Sequence, residues 1–193
     1  MKIAGLLVGF APLIVYGILA GTTPANVTVA LAAAAATTLV VGYRDLRQGG
    51  ILPWTNLLLF GGALFAIGFL RLTGLIPFMG VLIYAVLAAV TFASIAAGIP
   101  FTLQYARSMV DPRVQAHPLF RRVNVLMTGV WGGVFTVNLL LDGAALALPG
   151  SPGQAAQYLT YVVLAGGIAF TLWFPARMRK KFPPPAPADP REA

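Results

Sequence analysis

Long apolar stretches separated by short polar connectors dominate the pattern of this sequence. A transmembrane helix needs about 20 apolar residues, because each residue advances about 1.5 Å through about 30 Å of hydrocarbon. Six stretches reach or approach that length, at residues 3–20, 25–41, 51–70, 75–99, 123–141 and 158–174. The pattern predicts an all-α integral membrane protein with six transmembrane helices.

The first stretch also has the outline of a secretion signal, since Lys2 precedes it and small residues follow it. Cleavage after Ala20 would require a small residue two positions earlier, where the chain has Ile18. This mismatch favours an uncleaved first transmembrane helix.

The amino-acid composition agrees with a membrane protein and leaves little material for catalysis. Hydrophobic residues make up 59% of the chain and charged residues 9%, which is far from the balance of a soluble domain. There is no cysteine and a single histidine, and no lysine falls inside the six stretches. These features exclude disulfides, thiolate metal sites and a retinal Schiff base, so we expect no catalytic residue, no cofactor and no metal site.

The net charge of +8 is arranged by membrane side. With a cytoplasmic N-terminus, twelve of the 13 Lys and Arg residues fall inside, and only Arg71 falls outside. This asymmetry follows the positive-inside rule, so both termini are predicted to be cytoplasmic and no nucleic-acid partner is expected. Residues 1–176 form the predicted transmembrane domain, and the basic, Pro-rich residues 177–193 form a predicted disordered cytoplasmic tail.

The fifth stretch carries one polar stripe. Its members follow one another at spacings of 4, 3, 4, 3 and 4, which places them on a single helix face. They are Asn124, Thr128, Trp131, Phe135, Asn138 and Asp142, and the fourth stretch offers a matching face of Tyr84, Thr91 and Ser94. Polar groups in hydrocarbon need partners, so both faces are predicted to point into the helix bundle.

Two interpretations of this intramembrane face stay open. Its side chains either join helices by hydrogen bonds, with Asn138 bonded to a backbone carbonyl or to Tyr84, or line a narrow polar path or small-ligand site at Tyr84, Asn138 and Asp142.

The connector at residues 101–124 concentrates positive charge. We expect Phe101, Tyr105 and Phe120 to anchor it at interface depth, and His117 to be a solvated loop residue. Its arginines are predicted to contact anionic lipid headgroups or a protein partner, and they are Arg107, Arg113, Arg121 and Arg122.

Four motifs resemble those of the intracellular septation protein A family of bacterial inner-membrane proteins. The stretch "FAPLIVY" at residues 10–16 is similar to the Phe-x-Pro-Leu signature of that family, and "LFGGAL" at 59–64 to its Phe-Gly-Gly. The stretch "IYAVLA" at 83–88 is similar to its Ile-Tyr-Ala run. Finally, "FRRVN" at 120–124 and the later Asn138 resemble a fourth pattern of that family. This pattern is an aromatic residue, two polar or basic residues, an apolar residue and an Asn, with a second Asn further along the chain.

The resemblance implies a role at the bacterial cytoplasmic membrane in septation, elongation and envelope integrity, through contacts with other membrane proteins. It implies no catalytic residue. The expected function is therefore a non-enzymatic membrane protein with a membrane-protein partner, and homo-oligomers fit this role. The alternative is a small-solute transporter or facilitator that uses the polar face.

Overall fold

The protein is described by a computed structural model that covers residues 8–107, 110, 112–115, 117–148 and 150–181, with side chains of the last helix described up to residue 178. Within these ranges the chain is helical and has no strand, which confirms the all-α class. The helices are α1 (Ala11–Leu19), α2 (Pro24–Val41), α3 (Tyr43–Arg47), α4 (Ile51–Leu64), α5 (Met79–Ala96), α6 (Phe101–Arg107), α7 (Pro112–Gln115), α8 (Pro118–Ala147) and α9 (Ser151–Lys181). A π-helical turn, Phe65–Phe69, extends α4, and a 3-10 helix, Thr73–Phe78, leads into α5.

In the described part of the chain, five helices are long and apolar enough to span a membrane. They are Pro24–Val41, Ile51–Phe69, Thr73–Ala96, Pro118–Ala147 and Ser151–Met178. These helices coincide with the second to sixth stretches read from the sequence. The first stretch is only partly described: α1 covers its second half, and residues 1–7 lie outside the described residues.

Proline and a side-chain cap set the start of two spanning helices. Thr23 precedes Pro24, and its hydroxyl accepts a hydrogen bond from Asn26 N at 3.2 Å. His117 precedes Pro118 in the same way, and its Nδ1 accepts from Leu119 N at 3.2 Å. Each cap satisfies a backbone donor that the first helical turn leaves unpaired. His117 is exposed, as predicted, and it has this local role.

Helix α8 is the centre of one group, with α5 on one side and α9 on the other. It runs antiparallel to α5, because Asp142 lies beside Gly80 at one end while Arg121 reaches Gly98 at the other. It runs antiparallel to α9 as well, since Asp142 meets Thr160 while Trp131, further back on α8, meets Thr171, further along α9.

The second group consists of α1, α2 and α4, and the residues just before α1 join it to α8. The Phe10 ring stacks on the Trp131 ring with centroids 4.4 Å apart. One residue earlier, the Gly9 carbonyl accepts a hydrogen bond of 3.0 Å from Asn56 Nδ2 of α4. The start of α1 therefore touches both groups.

Helix α6 is buried between the two groups, so the predicted interfacial anchoring of Phe101 and Tyr105 is wrong. Phe101 is 2% exposed and Tyr105 8%. The side chain of Gln104 accepts a hydrogen bond of 2.9 Å from Ile51 N at the start of α4. Burial and, secondarily, the charge of Asp45 raise the pKa of Tyr105, so its phenol stays neutral. Packing against α4 and α8 buries more of these rings than a position at the membrane–water interface would.

All arginines whose side chains are described, except Arg71, lie at the same end of the bundle, and these side chains are exposed. We call this the basic end, and it is formed by Arg44, Arg47, Arg107, Arg113, Arg121, Arg122 and Arg177. Arg71 lies at the opposite end, between α4 and α5. Helix α9 continues to Lys181, so the first residues of the predicted disordered tail are helical, and residues 182–193 lie outside the described residues.

Candidate polar face and cavity

The stripe on α8 faces the interior of the bundle. Thr128, Phe135 and Asn138 are fully buried, Asn124 and Trp131 are 5% and 2% exposed, and Asp142 is half-buried. The matching residues of α5 are buried too, with Tyr84 at 7%, Thr91 at 3% and Ser94 at 4% exposure. The inward orientation predicted from helical spacing is thus confirmed.

Near the basic end, the stripe forms a connected set of hydrogen bonds. The Thr102 hydroxyl of α6 donates to Asn124 O at 2.9 Å, and it lies 2.8 Å from the Thr128 hydroxyl. Since Thr102 has one hydrogen to donate, Thr128 is the donor of the second bond. Asn124 Nδ2 donates to Phe120 O at 2.8 Å within α8. At this end the stripe joins helices by hydrogen bonds, as the first interpretation predicts.

Aromatic rings fill the middle of the stripe. Trp131 stacks on Phe10, and the Phe135 ring lies 5.4 Å from Trp131 and 6.1 Å from Phe10, centroid to centroid. The Trp131 indole also donates to Thr171 Oγ1 of α9 at 3.0 Å. We call Phe10, Trp131 and Phe135 the aromatic layer. It separates the polar residues near the basic end from Asn138 and Asp142.

Asn138 lies beyond the aromatic layer and makes no hydrogen bond. Its side chain is fully buried, and neither Nδ2 nor Oδ1 has a partner. The predicted bond from Asn138 to a backbone carbonyl is therefore wrong. Tyr84, the other predicted partner, interacts with the amide, but at a geometry looser than that of a standard hydrogen bond. Helical spacing specifies which face Asn138 occupies, whereas hydrogen bonding depends on the neighbouring helices to a few tenths of an ångström.

A cavity of about 1070 Å³ lies at the end of the bundle opposite the basic end. Helix α1, the first turns of α5, the last turns of α8 and the first turns of α9 form its walls. Most of the lining is apolar, from residues such as Leu13, Ile76 and Leu164. Tyr84 and Asp142, two of the three residues proposed to line a small-ligand site, lie on its wall, whereas Asn138 does not.

Asp142 is the acidic group of this cavity wall. Its Oδ1 accepts a hydrogen bond of 3.1 Å from the Thr160 hydroxyl of α9. Its Oδ2 lies against the backbone of α5 at Gly80, in the place that a side chain there would occupy. The absence of a side chain at Gly80 therefore makes room for the carboxylate. Tyr84 and Tyr161 share this cavity wall with Asp142.

The four predicted cytoplasmic contact residues are gathered at the basic end and directed outwards. Arg107, Arg113, Arg121 and Arg122 are exposed. Arg121 Nη2 also donates a long hydrogen bond of 3.4 Å to Gly98 O. They thus lie exposed at the end of the bundle where the prediction expects a charged headgroup or an acidic partner.

The sequence pattern does not indicate several residues of the site. Thr102 of α6 and Thr160 and Thr171 of α9 supply the partners of the α8 stripe. A partial signal exists, since Thr160, Gly167 and Thr171 share one helix face at spacings of 7 and 4.

In the described ranges, no group of three His, Cys, Asp or Glu side chains could hold a metal ion.

Comparison of the chain with protein-family models, curated proteins and solved structures finds no match. The resemblance to the septation protein A family stays a prediction that depends on the four motifs.

Proposed function

We propose that this chain is a non-enzymatic, six-span protein of the bacterial cytoplasmic membrane that supports envelope assembly, septation or elongation by contacting other membrane proteins. In this proposal both termini are cytoplasmic. Residues 3–20 form one more span, the first along the chain, in addition to the five spanning helices. The four motifs support the envelope role, and the five spanning helices support the membrane location.

The observation that carries the proposal is the basic end. Its arginines are exposed and belong to five helices, α3, α6, α7, α8 and α9, so the positive charge of this end does not come from one loop. An arginine near an anionic membrane surface contributes about 1 kcal/mol, which keeps this end at the headgroups of the cytoplasmic leaflet. The same surface supplies charged contacts to an acidic partner that lies beside it, and such contacts favour fast and selective association.

Topology is the first part of the proposal to test. Fusion of a reporter that is active only in the cytoplasm should give activity at both the N-terminus and the C-terminus. The same reporter inserted after Arg71 should be silent. A silent N-terminal fusion with an active C-terminal fusion would contradict the six-span arrangement.

The partner is tested by extraction from native membranes in a mild detergent, followed by identification of proteins that remain bound in fixed ratio. We expect a membrane protein to be retained by the wild-type chain and lost when Arg107 and Arg122 are both replaced by Gln. Arg71→Gln is the matched control, because it removes an exposed arginine from the opposite end, and it should retain the partner. A chain that elutes alone in every case would contradict the proposal.

The cavity favours a second candidate, a facilitator for a small solute. Its polar wall at Tyr84 and Asp142 continues the α8 stripe, but the aromatic layer closes the way to the basic end. A facilitator would therefore need this layer to open. Swelling of proteoliposomes in uncharged osmolytes tests the idea: Phe135→Ala should accelerate swelling, and equal rates with protein-free liposomes would exclude such a path.

A further inference from the structure

The cavity between α1, α5, α8 and α9 combines a large apolar volume with one carboxylate. Its volume of about 1070 Å³ is at the upper end of ligand sites, which span about 300–1,000 Å³. Ile14, Ile18 and Gly21 of its wall are at the surface, so the cavity opens to the outside of the bundle. A molecule that fills it would be mostly apolar and would enter from the bilayer side.

The carboxylate of Asp142 gives this cavity a preferred charge. In the described part of the chain, Asp142 has a single side-chain hydrogen bond, from Thr160, and no cationic side chain is within ion-pair distance of it. Among the described residues, the cavity wall contains no Lys or Arg. A carboxylate in apolar surroundings is costly without a positive partner, so a cationic group would complete the site.

Aromatic rings near Asp142 suit a particular kind of cation. Tyr84 and Tyr161 line the same cavity as Asp142, and so do Tyr16 and Trp131. The faces of Tyr and Trp rings attract ammonium groups, and a carboxylate adds a charged hydrogen-bond acceptor. The apolar remainder of the cavity fits an alkyl chain.

We propose that this cavity binds an amphiphile with an ammonium headgroup, held between Asp142 and the neighbouring tyrosines, and an alkyl chain along the apolar wall. Two sources share this chemistry, an aminophospholipid of the bilayer and a free long-chain amine. The site lies at the end opposite the basic end, so it does not depend on the proposed partner surface.

Photocrosslinking tests the site directly. The full-length chain in nanodiscs of phosphatidylglycerol is irradiated with hexadecylammonium that has a diazirine in mid-chain, and labelled peptides are identified by mass spectrometry. We expect labels on α1 and α9 at the cavity wall, competed by unlabelled hexadecylammonium and not by hexadecanol. Removing one member of a buried charge pair is a large perturbation, so Asp142→Asn should reduce labelling about tenfold or more.

Matched variants make the test specific. Asp45→Asn removes an acid that lies outside this cavity, so it should leave labelling unchanged. Tyr161→Leu should reduce labelling, whereas Tyr158→Leu, on the same helix but off the wall, should not. If Asp142→Asn fails to fold, the comparison of Tyr161→Leu with Tyr158→Leu still tests the proposal. Equal labelling of Asp142→Asn and the wild type, equal labelling of the two tyrosine variants, or equal competition by hexadecanol would each overturn the proposal.

Nanodisc composition distinguishes the two sources. Phosphatidylethanolamine has an ammonium group that phosphatidylglycerol lacks. If phosphatidylethanolamine suppresses labelling in the wild-type chain, the ligand is a membrane aminophospholipid. If labelling persists in phosphatidylethanolamine, the site selects a free alkylammonium amphiphile.

Discussion

Asn138 and Asp142 lie one helical turn apart on α8, but their surroundings differ. The Asp142 carboxylate accepts a hydrogen bond from Thr160 and lies at a cavity wall. The Asn138 amide is fully buried, and none of its polar atoms is bonded. A buried polar group without a partner costs about 1–3 kcal/mol of desolvation, so we expect Asn138 to reduce the stability of this fold.

Replacing Asn138 by Leu should therefore raise the free energy of unfolding, by about 1 kcal/mol. Leucine has the same branching of heavy atoms and no polar atom to desolvate. Titration with a denaturing detergent measures the change. Asn124→Leu is the matched control on the same face, and it should lower stability because Asn124 Nδ2 is bonded to Phe120 O. A loss of stability in Asn138→Leu would mean that the amide has a partner in the membrane.

At the scale of elements, the connectors decide how the spanning helices are held. Helix α6 is short and buried, and it supplies Gln104 to α4 and Thr102 to α8. The segment between α5 and α8 is thus part of the core as well as a link between spans. Close approach of α8 and α5 depends in turn on Gly80, where the Asp142 carboxylate takes the place of a side chain.

Gln104 acts as a distant cap for α4, since Gly50 offers no side chain to the first turn. Gln104→Leu should lower the free energy of unfolding by about 1–2 kcal/mol, because Ile51 N would be left without its acceptor. Gln104→Glu keeps an acceptor oxygen near the positive end of the helix, so it should retain most of the stability. Equal losses in the two variants would show that packing, and not the hydrogen bond, holds α6 in place.

Gly80→Ala should destabilise the contact between α5 and α8. The new methyl group would overlap the Asp142 carboxylate, and overpacking of this kind costs about 1–3 kcal/mol. Gly143→Ala is the control next to Asp142, since its methyl group would meet no atom within 4 Å. The thermal midpoint of each variant in detergent measures the difference. A midpoint for Gly80→Ala equal to that of Gly143→Ala would mean that the carboxylate moves away freely.

The whole molecule consists of two helix groups joined by few contacts. Phe10 before α1 packs into the aromatic layer on α8, and α6 reaches α4 from the other side. The aromatic layer also separates the cavity from the polar residues of α8 near the basic end. A movement of the two groups relative to one another would therefore change both the cavity and the closure.

Phe10→Ala should cost about 3–5 kcal/mol of stability, the usual range for a buried Phe, and should loosen the joint between the groups. Phe65→Ala is the control, because that ring is 55% exposed and stacks only on Phe69 among the rings described. Unfolding by denaturing detergent compares the two variants, and equal, small losses would contradict the central position of Phe10.

The sequence by itself determined the class of protein, the five described spanning helices and the inward face of α8. Hydrocarbon thickness sets the length of an apolar stretch, and the helical period decides which residues share a face, so both are local properties of the chain. The number of spans also predicts that the arginines lie at one end, because each span crosses the membrane once and every second connector is therefore on the same side.

Only the tertiary structure decided which polar groups have partners and where space is left. The burial of α6, the missing bonds of Asn138 and the cavity beside Asp142 all depend on contacts between segments distant in the chain. Thr102, Gln104 and Thr160 take part in these contacts, and their local sequence gives little sign of it. Hydrogen bonds and cavities are decided by distances of a few tenths of an ångström between helices, and periodicity does not specify such distances.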